Sequence, residues 1–255
     1  MESHCYLELM IVPAIRGVIA RRLLINYRID PSHLSKVLPD PFEPLLVDGY
    51  GVGGICLIRL TGIKPATLPG SWGLTSENGA HRIAVRLADG TEAVYIPRRD
   101  TDSRLNTLLG GRLFPGAHHH ARFSILETHD RMSIRVRGDD GKTRVEVSGK
   151  PTGALPPRSV FGDTQTASNF FERGSLGYSD TSDPARFDAL ELKALNWSVT
   201  PLEVDHVFSS FFEDPERFPR GSVEFDDALL MQNIDHEWRA QESLYCSGVP
   251  EARSV

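Results

Sequence analysis

Apolar and polar residues alternate along much of this chain. Ile83, Val85 and Leu87 fall on one face of an extended segment, with Arg82 and Arg86 on the other. Ile134 and Val136 alternate with Arg135 and Arg137 in the same way. The chain then turns at Asp139-Asp140-Gly141-Lys142, and Val145 and Val147 return. Asp89-Gly90 separates the first segment from Ala93 to Ile96. Asp48-Gly49 separates Leu45 to Val47 from the stretch Gly51 to Leu60. Asp-Gly readily adopts the positive φ angles of tight hairpins, so three such turns predict a largely antiparallel sheet or barrel. The glycines at 49, 51, 53 and 54 lack both the GxGxxG order and a following helix. They are read as permitting bulges or close strand approach, not as a phosphate loop.

Helix signals are few. Asp30-Pro31 reads as an N-cap followed by proline in the first turn, giving a short helix from Ser32 to Leu38 that stops before Pro39. Asp163 is expected to cap a helix from Thr164 to Arg173, ended by Gly174. A further helix is expected near Asp226 to Gln232. Leu190 to Leu195 and Val204 to Phe212 read as extended, and Val199-Thr200-Pro201 reads as an edge or a turn. No linker-like stretch or fixed repeat interrupts the chain. The expectation is one mainly β (α+β) domain over residues 1–255, with its core at about 13–240 and a few short peripheral helices.

Composition sharpens this picture. The 255 residues are 40% hydrophobic and 24% charged, an ordinary globular balance. Net charge is -6, which argues against a nucleic-acid partner. No apolar run approaches the ~20 residues of a membrane span, and no leader pattern opens the chain, so neither a membrane partner nor export is expected. Cys5, Cys56 and Cys246 are odd in number, far apart and without a CxxC. They are read as thiols of a cytoplasmic protein, not as a disulfide frame. Basic residues total 28, of which only Lys36, Lys64, Lys142, Lys150 and Lys193 are lysine. Residues 1–125 carry 14 basic and 11 acidic side chains, whereas 126–255 carry 14 and 23. That imbalance points to an arginine-rich pocket or surface in the first half.

Four clusters could carry chemistry; in the last, Ala167 to Gly174, Phe170 and Phe171 read as core anchors of a short helix and Asn169 could face a cavity. In Ala117 to Phe123, an extended backbone puts His118, His120 and Arg122 on one face. His119 shares the more apolar face with Ala121, Phe123 and Ile125, and so reads as a core or interlayer histidine. His118 and His120 could ligate one metal, but no third ligand is selected by spacing. In Ser76 to Arg82, Glu77 and His81 could form an acid/base pair. In Tyr95 to Arg104, three arginines and two aspartates suit either a carboxylate or phosphate clamp or an internal ion-pair network. No GxSxG elbow supports serine catalysis. The candidate set is therefore Glu77, His118 and His120 for proton transfer, with His81, Arg82, Tyr95, Arg99 and Arg122 for binding. No cofactor and no resident metal is expected. The expected partner is a small anionic molecule, with self-association left open.

Several stretches together resemble a known family. They are Asp30-Pro31…Leu34…Leu38-Pro39…Phe42, Asp48-Gly49, Ile55 to Leu60, Glu77 to Val85, Tyr95 to Arg104, Gly110 to His120, Gly174 to Ser179 and Ser210-Phe211-Phe212-Glu213-Asp214. The chain resembles the acetoacetate-decarboxylase-like superfamily over residues 13–240, and more narrowly the branch known as domain of unknown function 2071. The resemblance implies a cone-like β-barrel enclosing a small-molecule cavity. In the decarboxylase, a lysine pair after a Phe-Pro motif forms a Schiff base with the substrate. Here Phe114-Pro115 is followed by Gly116 and Ala117. The resemblance thus implies the fold without the imine chemistry, unless Lys150 or Lys193 reaches the cavity. An acid/base enzyme acting on a keto or hydroxy acid, a non-catalytic binding protein and a metal-dependent lyase or hydrolase are the three functions left in contention.

Overall fold

The computed structural model describes residues 5–8, 13–69, 73–104, 107 and 116–246. Its strands are β1 (Cys5–Glu8), β2 (Ile15–Ile29), β3 (Glu43–Pro44), β4 (Leu46–Val47), β5 (Tyr50–Pro65), β6 (Leu74–Arg86), β7 (Glu92–Thr101) and β8 (His118–Glu127). They continue as β9 (Met132–Gly138), β10 (Arg144–Pro151), β11 (Leu176–Asp180), β12 (Arg186–Ala194), β13 (Thr200–Ser209), β14 (Val223–Ala240) and β15 (Ser243–Cys246). Helix α1 (Pro31–Val37) follows β2, and α2 (Thr164–Arg173) follows β10.

The three Asp-Gly turns form where the alternation predicts them. Asp48 and Gly49 adopt φ of 49° and 82° between β4 and β5. Gly90 and Gly141 sit at φ 87° and 71° before β7 and β10. Both capped helices also form. Asp30 accepts from the Ser32 backbone N–H at 2.8 Å, and Asp163 from that of Thr166 at 2.8 Å. Among the described residues, no helix is long and apolar enough to cross a membrane.

Nine strands close into a barrel in the order β7-β8-β9-β10-β13-β14-β2-β5-β6, with β6 returning to β7. All of these pairings are antiparallel except β7–β8. A second circuit branches from the same sheet. β11 pairs with β7, β12 pairs with both β11 and β14, and together they link β7 to β14 around the other side. Strands β14, β2, β5, β6 and β7 belong to both circuits and are buried on both faces. Leu23 and Ile25 on β2, Ile55 and Leu57 on β5, and Ile83 and Val85 on β6 fill the barrel. Leu24, Cys56, Ile58 and Ala84 face the other way, toward Ala167 and Phe171 of α2. The close approach of β2, β5 and β6 depends on glycine. A Cβ on Gly54 would lie 2.4 Å from the Ile25 carbonyl oxygen.

Three expectations are corrected. Asp226 to Gln232 is not helical but lies within β14, paired with β2 from Val223↔Ile29 to Trp238↔Ile15. Ala228-Leu229-Leu230-Met231 reads as a helix because a doubly buried strand loses its polar alternation. Its residues nevertheless divide by parity, Ala228 and Leu230 to the barrel and Leu229 and Met231 to the opposite face. Thr200 and Pro201 open β13 opposite Leu230 and Leu229, so the proline sits at the start of a strand, where it is tolerated. Cys5 and Cys246 form a disulfide between β1 and β15, two strands from opposite ends of the chain that pair in register. A sequence separation of 241 gives no hint of that neighbourhood.

Candidate functional site

A cavity of about 140 Å³ lies on the face of the shared strands turned away from the barrel core. Its walls are mostly apolar, including Leu24, Ile58, Leu190, Leu192 and Trp238, and Phe170 and Phe171 of α2 border it. Its polar lining includes Asn78, Glu92 and Asp100, and most prominently a set of cations. Arg22 from β2, Arg82 from β6 and Arg99 from β7 all line it. The β6–β7 register shifts between His81 and Ile83, which brings both Ile96 and Arg99 of β7 to the cavity although they are three residues apart.

The three guanidinium groups have neutral partners. Arg99 Nε donates to Ser179 Oγ at 2.9 Å, and Arg22 Nε to Cys56 Sγ at 3.1 Å. Arg82 donates to Asn26 Oδ1, lies over the Phe171 ring at 4.7 Å, and has a buried Nε with no partner. Asn26 in turn donates to Asp227 at 2.7 Å. Burial raises the Asp227 carboxyl well above the usual carboxylate range, helped by neighbouring Asp226. Burial pushes Arg82 and Arg99 each down to about 10, so both remain cationic at neutral pH. Asp100 borders the cavity but is held by Arg98 through contacts of 2.8 to 3.1 Å.

His118 completes the polar set. It follows Arg99 in register, across the parallel β7–β8 pair. Burial, reinforced by the Arg99 cation, lowers it to about 4, so it is neutral at pH 7. Its Nδ1 lies 3.1 Å from the Gly116 carbonyl oxygen. That contact requires the proton on Nδ1 and puts the basic lone pair on Nε2.

Of the residues singled out from sequence, Arg82, Arg99 and His118 therefore come together at the cavity, and the other five stand elsewhere. Glu77 shares β6 with Arg82 but is clasped by Arg21 and Arg59, which also reach Glu127. His81 is 1% exposed, packed against Phe211, with Nε2 3.3 Å from Ser209 Oγ. Tyr95 donates to Asp180 at 3.0 Å and stacks on Phe42. Burial raises Asp180 to about 6. His120 pairs with Asp139 at 2.8 Å, and the Arg122 side chain is 84% exposed. His119 is exposed, not buried as its apolar neighbours predict: on that face Ala121 is buried and Phe123 and Ile125 pack against the core, but His119, at the start of β8, stays outside it. Among the described residues, no group of three His, Cys, Asp or Glu side chains is placed to hold a metal ion.

The cavity residues missed in the sequence are chiefly Arg22, Cys56 and Trp238. Arg22 carries a readable signal. It sits beside Arg21 at the head of the apolar run Leu23-Leu24-Ile25, where a strand buried on both faces leaves no solvent face for a charge.

None of the five lysines lines the cavity. Lys150 is exposed and 3.3 Å from Glu203, and Lys193, exposed on β12, lines an adjoining pocket that shares Arg22, Phe171 and Leu192 with the cavity. Phe114 and Pro115 lie outside the described residues. Gly116 sits at φ 91°, and a Cβ there would fall 2.6 Å from that of Ser179. The backbone at this point therefore disfavours any side chain, lysine included.

His81 gives a pH signature. Burial, with Arg98 nearby, lowers it to about 3. Below pH 6.5 the unfolded chain takes up a proton that the folded protein refuses. This contribution to stability is complete above pH 6.5 and is lost as pH falls toward 3. The urea midpoint is expected to fall between pH 7 and 5, and to fall less in His81→Gln. An equal loss in both proteins would show that His81 does not carry it.

The comparisons with known proteins agree with this fold. The chain superimposes on an acetoacetate decarboxylase from Legionella pneumophila with a TM-score of 0.61, at 12% identity, covering 94% of this chain and 90% of that one. The enduracididine biosynthesis enzyme MppR, complexed with the condensation product of pyruvate and imidazole 4-carboxaldehyde, gives 0.56 at 13% identity over 92% and 88%. An acetoacetate decarboxylase-like enzyme from Sphingomonas wittichii RW1 gives 0.54 at 11% over 93% and 92%. At these identities the likeness is one of fold. No curated protein matches in sequence. A family model described as an uncharacterized conserved protein matches residues 19–222, and the chain belongs to that family, domain of unknown function 2071, on an acetoacetate-decarboxylase-like fold.

Proposed function

We propose that this chain is an enzyme acting on a small keto or hydroxy acid by acid/base chemistry, without a lysine imine. The observation that carries the proposal is a lysine-free apolar cavity lined by Arg22, Arg82 and Arg99, whose hydrogen bonds go to neutral groups. Arg82 is buried and Arg22 and Arg99 are half-buried, with no carboxylate among the described residues in direct hydrogen-bond contact; holding such cations out of water is costly, and an anionic ligand offsets that cost. A carboxylate suits them because a guanidinium offers paired donors to its two oxygens. The apolar walls then face the rest of the molecule, and His118 Nε2 supplies a base held neutral at pH 7. The pyruvate-derived ligand in the MppR complex supports the substrate class by analogy of fold.

The experiment is a panel of keto and hydroxy acids and their amides, read by melting shift and by mass spectrometry of the mixture. Acids are expected to raise the melting temperature more than their amides do, and at least one is expected to change mass. Equal shifts for acids and amides would end the anion reading. A shift without any product would leave a binding protein. Borohydride added with pyruvate is expected to leave the protein mass unchanged, whereas an adduct on Lys150 or Lys193 would restore the imine mechanism.

A further inference from the structure

We propose that Cys56 is the nucleophile of this cavity, and that it adds covalently to the keto carbon of a 2-oxo acid whose carboxylate is held by the surrounding arginines. The inference rests on the anion-binding reading above and goes beyond it by naming the reacting atom.

The registers place the residues in one row across the sheet. Leu24 is opposite Cys56, Cys56 opposite Ala80, Ala80 opposite Arg99, and Arg99 opposite His118. With strands about 4.8 Å apart, the row puts Cys56 and His118 at the two ends of a span of roughly 14 Å. Ala80, the smallest side chain in it, forms the floor between Cys56 and Arg99. A bound molecule would lie over that floor, with the thiol at one end and the imidazole at the other.

Cys56 is 7% exposed and borders the cavity, and it is the free cysteine of the described residues. Arg22 Nε donates to its sulfur at 3.1 Å, a contact that strengthens as the sulfur gains negative charge. The independent sign of a ligand is Arg82. It is 5% exposed, lines the same cavity and keeps a buried Nε without a partner. An anion drawn to Arg82 and Arg99 is brought beside the sulfur.

The step balances without a further reactant. With a 2-oxo acid, the Cys56 sulfur bonds to the carbonyl carbon, the C=O π-bond opens, and the thiol proton passes to the carbonyl oxygen. The product is a hemithioketal, and reversal releases the acid.

Two reagents of matched size test this. In iodoacetate and iodoacetamide, sulfur displaces iodide and the thiol proton is lost to solvent. Iodoacetamide is ordinarily the faster with thiols. Here iodoacetate is expected to alkylate Cys56 about tenfold faster than iodoacetamide, because focused positive potential concentrates the anion. Peptide mass mapping assigns the label. Pyruvate is expected to slow the reaction, and Arg99→Met to abolish the preference. If Cys56 in the folded protein resists both reagents while acids still raise the melting temperature, the nucleophile assignment fails and the anion site stands. If iodoacetamide labels Cys56 faster and acids give no melting shift, the anion site fails and this inference fails with it.

Discussion

Arg99→Met is expected to bind a carboxylate ligand roughly 30-fold more weakly or worse, yet to melt no lower than the parent protein. The two halves of this result have one cause. Arg99 is lowered to about 10 by its burial, so its charge is held at a cost in the empty protein. Methionine keeps much of the length and removes that cost. Ser179 loses a donor, but its hydroxyl can turn its own proton toward another acceptor. Arg82 is a poorer test, since its removal strands the buried Asn26 carbonyl. Calorimetric titration and melting curves on the same preparation check both halves. A variant that binds as tightly as the parent would remove Arg99 from the site. One that melts far lower would show that the guanidinium has a structural role.

The second large effect concerns the disulfide. Cys5 and Cys246 close a loop of 241 residues, for which chain entropy alone gives about 5 kcal/mol, while removal of native disulfides more often costs about 2–5 kcal/mol. Cys5→Ser with Cys246→Ser is therefore expected to lower the melting temperature by roughly 5–15 °C. Thiol titration of the denatured, unreduced protein should find one group, Cys56, and three after reduction. Finding three before reduction, with no effect of the double substitution on melting, would mean that the bond does not form. Its formation also bears on compartment, because such bonds persist in oxidising surroundings and are rare in the cytosol.

The sequence made the local geometry legible where one residue type has one physical use. Asp48-Gly49, Asp89-Gly90 and Asp139 to Lys142 mark turns because few residues tolerate positive φ, and each sits where expected. Asp30 and Asp163 mark helix starts because their carboxylates reach backbone donors two or three residues on. Legibility ended where burial removes the alternation. Ala228 to Met231 has apolar residues toward both faces, so its period is lost and a strand reads as a helix. The candidate site was half visible for a related reason. Arg82 and Arg99 stand out as charges on apolar strands, and His118 as part of a histidine run. Nothing in the spacing separates His118, beside Arg99, from His120, which meets Asp139, because that difference arises only when β8 lies parallel to β7. Cys56 looks like any small apolar residue until the registers set it between Leu24 and Ala80 on the cavity side, within reach of Arg22.

The strands shared by the two circuits work like a reading frame. Along β5, Ile55 and Leu57 belong to the barrel, while Cys56 and Ile58 belong to the cavity side. Deleting one residue anywhere upstream within this strand would exchange the two sets, sending Cys56 into the barrel and Ile55 to the cavity. On β6 the same slip would drive Arg82 into the apolar barrel core. Point substitutions here alter one wall at a time, but length changes alter both at once. The turns at Asp48-Gly49 and Asp89-Gly90 are therefore the places where this protein can be lengthened, and β5 and β6 the places where its residue count is fixed.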